Sequence, residues 1–133
     1  MPLKIFLLFL FSWMMLSVAG QQPVRKDSVY TFVEVAPVFP DGEAGLAKYL
    51  NKNIRLSERA LEEGRFSASV RFVIDTFGCI NNIQLMDPGR KPGALEEEVM
   101  RVIKMMPAWK PGRHQGRKVK VLFNLPVHIS PQE

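Results

Sequence analysis

Cysteine and histidine, the side chains that most often form cross-links and metal centres, are scarce in this sequence of 133 residues. The single cysteine, Cys79, cannot form a disulfide within the chain, so the fold must be held together by packing alone. The two histidines, His114 and His128, are not spaced like the ligands of a metal site. We therefore expect no metal and no other cofactor, and we expect each histidine in a loop or at a strand end.

Motifs of the common enzyme classes are also missing. The sequence contains no G-x-S-x-G nucleophile elbow, no phosphate-binding loop and no dinucleotide-binding glycine pattern. A cysteine nucleophile needs a general base, and none lies near Cys79 in the sequence, although either histidine could approach it through folding. The sequence thus predicts a non-catalytic protein in which Cys79 is a half-buried strand residue.

The N-terminus has the features of a cleavable signal peptide over residues 1–20. Lys4 precedes an apolar run from Ile5 to Leu16, and the small residues Ser17 to Gly20 follow it. The alternative is an uncleaved inner-membrane anchor, because the run approaches the roughly 20 apolar residues of a spanning helix. We expect cleavage, a periplasmic or otherwise exported protein, and a flexible lead-in over residues 21–29.

Basic residues are in excess, with a formal net charge of +5. Away from one cluster the charges of both signs are interspersed, and an export signal also argues against nucleic acid as a partner. We interpret the cluster as a solvated surface; the alternative is a basic rim that attracts an acidic peptide, membrane headgroups or a cell-wall polymer. The cluster consists of Lys110, Arg113, His114, Arg117, Lys118 and Lys120.

Helical periodicity appears in two neighbouring segments. Asp41 is a candidate N-cap for the first helix, and Ser57 for a shorter second helix that ends at Gly64. The residues expected to face inward are Leu46, Ala47, Leu50 and Ile54 in the first helix, and Ala60 and Leu61 in the second.

The pattern then changes to the two-residue period of strands. Ala68 to Ile74 alternates apolar and polar residues, Asp75 to Gly78 supplies a turn, and Cys79 to Met86 returns as an antiparallel partner. Lys118 to Leu125 alternates in the same way, with Val119, Val121, Phe123 and Leu125 directed to the core. Because Pro126 has no N–H, we expect this last strand to lie at a sheet edge or to end there.

A third helix lies between these strands. Glu97 can pair with Arg101, and Pro107 ends the segment. Its apolar stripe consists of Leu95, Val99, Val102, Ile103 and Met106. The sequence therefore predicts one α+β domain over residues 30–129, with helices packed on a three-stranded antiparallel sheet.

Three motifs in this order resemble the C-terminal domain of TonB, in its short, stand-alone Bacteroidetes-type version. They are Val35–Glu43 (VAPVFPDGE), Phe72–Asp75 followed by Gly78, and Met106–Gly112 (MPAWKPG) followed by Gly116–Val119. The resemblance covers about residues 30 to 129, and its most specific part is the W-x-P-G loop. Trp109 in that loop is expected to be buried where the last helix meets the sheet. The sequence departs from the family at Leu56-Ser57, where Tyr-Pro is common, and it has no long proline-rich spacer.

The resemblance implies a protein-binding module that accepts an extended peptide at a sheet edge, including a segment of an outer-membrane transporter. We place this partner-binding edge at Lys118, Lys120, Leu122 and Asn124 of the last strand. A membrane-anchored component of TonB-type energy coupling to outer-membrane transport is the first alternative. A secreted structural or inhibitory domain is the second. Contact with a membrane is expected only if the N-terminal segment is uncleaved.

Overall fold

The computed structural model describes residues 28–130, so the predicted signal peptide and nearly all of the predicted lead-in lie outside the described residues. Within that range the chain folds as a mixed α+β domain with three helices and five strands. In chain order the elements are β1 (Val29–Tyr30), α1 (Gly42–Asn53), α2 (Glu58–Glu63), β2 (Ser67–Ile74), β3 (Ile80–Leu85), α3 (Ala94–Lys104), β4 (Gly112–His114) and β5 (Arg117–His128).

The sheet has the strand order β1-β5-β2-β3, with β4 paired to the start of β5. β2 is antiparallel to both β3 and β5, as predicted, whereas β1 runs parallel to β5. The sequence predicted three strands, whereas the sheet has five. The two additional strands, β1 and β4, are short. β4 falls in a stretch interpreted as a basic loop, and β1 includes the end of the predicted lead-in. Strands of two and three residues are too short to show an alternating pattern in the sequence.

β2 forms the centre of the core. Val70, Phe72 and Ile74 are fully buried on one face of this strand, and α3 packs over them through Val99 and Ile103. The inward residues predicted for the strand, and those of the helix stripe apart from Met106, were confirmed, but Val73, which alternates with the inward residues of the strand, is also buried. Burying such side chains removes about 1.5–3 kcal/mol of unfavourable hydration each, which offsets part of the entropy lost on folding. Met106, the last residue of the predicted stripe, lies beyond the helix end and is half-buried.

The first helix begins after Asp41 as predicted, but not by the predicted mechanism. Asp41 has φ 65° and its side chain makes no capping hydrogen bond. Leu46, Leu50 and Ile54 pack against the core, whereas Ala47 is exposed and was wrongly assigned to the inner face. α1 therefore contacts the core along a narrow stripe and has no fully buried residue.

The second helix begins and ends as predicted, but only one of its two predicted inward residues is buried. Ser57 Oγ accepts the N–H of Ala60 at 3.1 Å, and Gly64 ends the helix in the left-handed conformation, both as predicted. Ala60 is buried, but Leu61 is 50% exposed and was wrongly placed inward. Successive helical residues point about 100° apart, and in α2 Ala60 lies on the side that faces the core while Leu61 points away from it.

Cys79 was predicted to be a half-buried strand residue, and this was wrong. It is exposed and lies in the turn just before β3. One carboxylate oxygen of Asp75 accepts the backbone N–H groups of Phe77 and Cys79, each at 2.9 Å. These bonds extend the turn through Cys79 and delay the strand to Ile80.

Candidate partner-binding edge

β5, the strand that carries the predicted binding residues, is flanked on both sides for part of its length. β2 pairs with it from Val121, opposite Ile74, to His128, opposite Ser67. On the other side β1 pairs with Lys120 and Val121. The edge predicted over Lys118 to Leu125 is therefore partly occupied by the chain's own first strand.

The rest of this side of β5 is open. After Tyr30 the chain leaves β5, and no described residue pairs with Asn124 to His128 on the side opposite β2. These residues therefore offer a row of backbone groups without a neighbouring strand. Such a row is the feature by which a sheet edge accepts another chain.

β5 continues through Pro126, where the sequence predicted that the strand lies at a sheet edge or ends. Pro126 is opposite Ser69, and the carbonyl of Ser69 accepts the N–H of Met86 at 3.1 Å, on the β3 side. The backbone groups of Ser69 thus point toward β3 and away from β5. In an antiparallel ladder the backbone groups of the residue opposite, Pro126, then point away from β2. The missing N–H of Pro126 thus leaves no gap in the β2–β5 ladder. By the same alternation, the backbone groups of Asn124 and His128 also face the open edge.

The four predicted edge residues share one face of the sheet. They alternate along β5 with the buried residues Val119, Val121 and Leu125, so their side chains lie on the face away from the core. Their cross-strand neighbours differ. Lys118 is opposite Arg113, Lys120 opposite Val29, Leu122 opposite Val73 and Asn124 opposite Arg71. Of the four, Asn124 lies within the open stretch, while Lys118 and Lys120 lie beside strands that the chain supplies itself.

A groove of about 210 Å³ runs between α1 and the end of β5. Leu50 and Ile54 line its helical side, and Val127 and Ile129 contribute apolar surface from the strand side. An added strand sends alternate side chains to opposite faces, so one set would point toward α1 and this groove. The sequence indicated the apolar stripe of α1 but not the strand it packs beside, and residues 126–129 were therefore missed.

Several titratable groups with shifted pKa values lie away from this edge, among them two carboxylates where α2 meets α3. The backbone N–H of Ala94, at 2.9 Å, is the main cause that lowers the pKa of Glu63. Burial would raise the pKa of Glu96, but hydrogen bonds from Arg90 and from the Gly93 N–H outweigh it and hold this pKa below its usual range. These carboxylates satisfy the free N–H groups at the start of α3, which is a structural role.

The predicted ion pair between Glu97 and Arg101 is not formed. Arg101 Nε instead donates to Glu98 at 2.9 Å, and Glu97 accepts from Arg59 at 3.3 Å. The hydrogen bond from Arg101 is the main cause that lowers the pKa of Glu98. The approach of α2 explains this arrangement, because it brings Arg59 to Glu97.

Glu96 provides a test of this helix start. Its side chain is 9% exposed and accepts hydrogen bonds from two groups, so Glu96→Gln should lower the free energy of unfolding by about 1–3 kcal/mol at pH 7. Because the folded pKa is below the unfolded value near 4.3, the carboxylate's contribution is full well above pH ~4.3 and is lost as pH falls through the folded pKa. The difference between the two proteins should therefore shrink on acidification.

Urea unfolding followed by circular dichroism at neutral and acidic pH measures this difference. Glu97→Gln is the matched control, since Glu97 is half exposed and its pair with Arg59 should contribute no more than about 0.5 kcal/mol. A wild-type to Glu96→Gln difference that is the same at both pH values would contradict the assignment.

Over residues 28–130 no three His, Cys, Asp or Glu side chains are grouped so as to hold a metal ion. His114 ends β4 and His128 ends β5, which confirms their predicted places at strand ends. None of the helices of the described part has both the length and the apolar character needed to cross a membrane.

Comparison with protein-family models, curated proteins and solved structures finds no match for this chain. The family resemblance described above therefore stays a prediction made from sequence motifs.

Proposed function

We propose that this chain is an exported, non-catalytic protein-binding module, similar to the C-terminal domain of TonB, that binds an extended peptide segment at the open edge of β5. The observation that carries the proposal is the row of backbone groups from Asn124 to His128, which no described residue pairs on the side opposite β2. Strand addition uses such a row for affinity and the neighbouring side-chain pockets for specificity. The groove beside α1 provides one such pocket.

The length and charge of this edge suggest the kind of partner. Pro126 provides a carbonyl but no N–H, so an added strand would form few backbone bonds and the complex would be readily reversible. Lys118 and Lys120 lie on the same strand but at its other end, beside β4 and β1, so they would contact only a partner segment that extends beyond the open stretch, and there they favour acidic residues over basic ones. A segment of an outer-membrane transporter is one partner that the family resemblance suggests.

The other edge of the sheet, along β3, is less suited to strand addition. Its pairing with β2 changes register between Arg71 and Val73, and Asn82 adopts φ 53° within the strand. A bulge of this kind twists an edge and interrupts its row of donors and acceptors. The open end of β5 is therefore the better candidate.

A second candidate function is a membrane-anchored component of TonB-type energy coupling. It is favoured by the apolar run from Ile5 to Leu16, which lies outside the described residues. The intact mass of the protein recovered from its native host distinguishes the candidates, since loss of residues 1–20 supports export and a full-length chain in the membrane fraction supports anchoring.

Replacing Asn124 with proline tests the binding edge directly. Its N–H faces the open edge, so Asn124→Pro should remove a donor used by an added strand while leaving the β2–β5 ladder complete, as Pro126 already does. We expect at least a tenfold loss of affinity for a partner captured from periplasmic extract. The measurement is titration of that partner against each purified variant.

Asn124→Ala is the matched control, because it removes the side chain and keeps the N–H. It should weaken binding by less than about threefold, since strand addition acts through the backbone. Hydrogen exchange of the wild-type complex should also show new protection within residues 122–128. Equal affinities of the two variants, with protection confined to the helices, would exclude this edge.

A further inference from the structure

Uncompensated positive charge is concentrated at the end of the sheet formed by β4 and the start of β5, which we call the hairpin end. No Asp or Glu occurs from Met105 to Ser130, and none of the cations at the hairpin end forms an ion pair with a described residue. These cations are Lys110, Arg113, Arg117, Lys118 and Lys120. Two carboxylates lie in adjoining segments, Asp75, which accepts hydrogen bonds within its own turn, and Glu34, next to Val35; neither forms an ion pair with these cations, and the positive charges remain in excess.

Two protruding aromatic side chains lie at the same end. Phe32 is 89% exposed, in a loop held at Tyr30, which pairs with Val121, and at Val35, which pairs with Arg113. Its position is therefore fixed beside the hairpin although its ring is in solvent. A ring so exposed contributes little to folding and leaves apolar surface in water.

The second aromatic is Phe77, which is 81% exposed in the turn between β2 and β3. This turn is joined to the hairpin end because the carbonyl of Gly78 accepts the N–H of Trp109 at 2.9 Å, and Lys110 follows directly. β2 also ends opposite Val121, where β1 pairs with β5. Phe77 and the basic cluster thus belong to one end of the sheet.

We propose that the hairpin end docks on the surface of an anionic phospholipid bilayer. This differs from the expectation from the sequence, in which contact with a membrane required an uncleaved N-terminal segment. Lysine and arginine side chains would lie among the phosphate headgroups, and Phe32 and Phe77 would enter the interface between headgroups and acyl chains. Charge complementarity favours an anionic surface, and the exposed rings favour a bilayer over a soluble acidic polymer, which offers no apolar layer to receive them.

The entry of the chain agrees with this orientation. The segment upstream of the domain joins it at Val29, opposite Lys120, and so reaches the hairpin end first. If the apolar run from Ile5 to Leu16 stays attached, it therefore holds this end toward the membrane. The open edge at Asn124 to His128 lies at the far end of β5, so docking leaves it accessible and does not depend on the proposed peptide binding.

Vesicle binding tests the proposal. The protein as its native host produces it should sediment at least tenfold more strongly with vesicles of phosphatidylcholine mixed with phosphatidylglycerol than with phosphatidylcholine alone. Lys110→Ala and Arg117→Ala should each weaken binding about fivefold, and added salt should weaken it further. Phe32→Ala and Phe77→Ala should each weaken it about tenfold.

Matched controls are Lys52→Ala and Lys91→Ala, exposed cations at the end of α1 and before α3. They carry the same charge as the tested residues, lie away from the hairpin end, and should leave vesicle binding unchanged. Equal binding to both kinds of vesicle would overturn the proposal. Loss of binding in the cation variants together with no effect of the phenylalanine variants would overturn it in favour of a soluble polyanion.

Discussion

Replacing Gly78 with alanine is expected to destabilise the domain by about 3–5 kcal/mol, enough to unfold much of a marginally stable protein. Gly78 has φ 81°, and a Cβ built there would lie 1.8 Å from the carbonyl oxygen of Trp109. That contact is with backbone, so no side-chain rotation relieves it. Relief requires moving the hairpin turn away from Trp109, which breaks the 2.9 Å bond from the Trp109 N–H to the Gly78 carbonyl.

Gly116→Ala separates the two causes of this destabilisation, which are the left-handed backbone conformation and the clash of the added Cβ with the backbone of Trp109. Gly116 has a similar φ, 74°, but a Cβ there meets nothing within 4 Å, so only the left-handed conformation should be penalised, by about 1–2 kcal/mol. Urea midpoints from circular dichroism give both values. Equal destabilisation by the two substitutions would show that the turn moves freely and that its approach to Trp109 is unimportant.

The long elements of this fold could be predicted because local pattern and tertiary burial agree in them. Alternation over Ala68 to Ile74 and the stripe of α3 each determine one buried face, and both were correct. The predictions were wrong where the sequence pattern is short, or where a contact with another part of the chain determines the local structure. Six residues are too few for the pattern of α2 to show which of Ala60 and Leu61 faces inward, and Cys79 is in a turn because Asp75 accepts its N–H.

The binding edge could be predicted only in part, for a topological reason. The sequence identified β5 and the two faces of its side chains, but not which backbone groups remain unpaired. That depends on β1, which occupies the edge at Lys120, and on the register that places Pro126 opposite Ser69. The pairing of β1 with β5 involves only two residues, and the register of β5 on β2 is set between strands distant in the sequence. Neither therefore produces a periodic pattern in the sequence.

Trp109→Ala is expected to lower the free energy of unfolding by about 3–5 kcal/mol. Trp109 is 3% exposed, as predicted, and it lies among three other aromatic side chains. Its ring centroid is 5.5 Å from that of Phe39, 5.9 Å from Phe72 and 5.0 Å from Phe123, each in an edge-on arrangement. Removing the indole leaves a cavity bordered by β2, β5 and the segment before α1, and close-packed neighbours on so many sides can collapse only partly.

Two further variants identify the cause of this loss. Phe77→Ala removes an aromatic ring that is 81% exposed, so it should change stability by no more than about 0.5 kcal/mol. Trp109→Phe keeps a ring in the cluster and removes an indole N–H that has no hydrogen-bond partner among the described residues, so its effect should be less than half that of alanine. Circular dichroism is the appropriate probe, because the Trp109 substitutions remove the tryptophan whose fluorescence would report on this cluster. If Trp109→Phe were as destabilising as Trp109→Ala, a hydrogen bond from the indole, rather than the filling of the cluster, would be the main contribution of this residue.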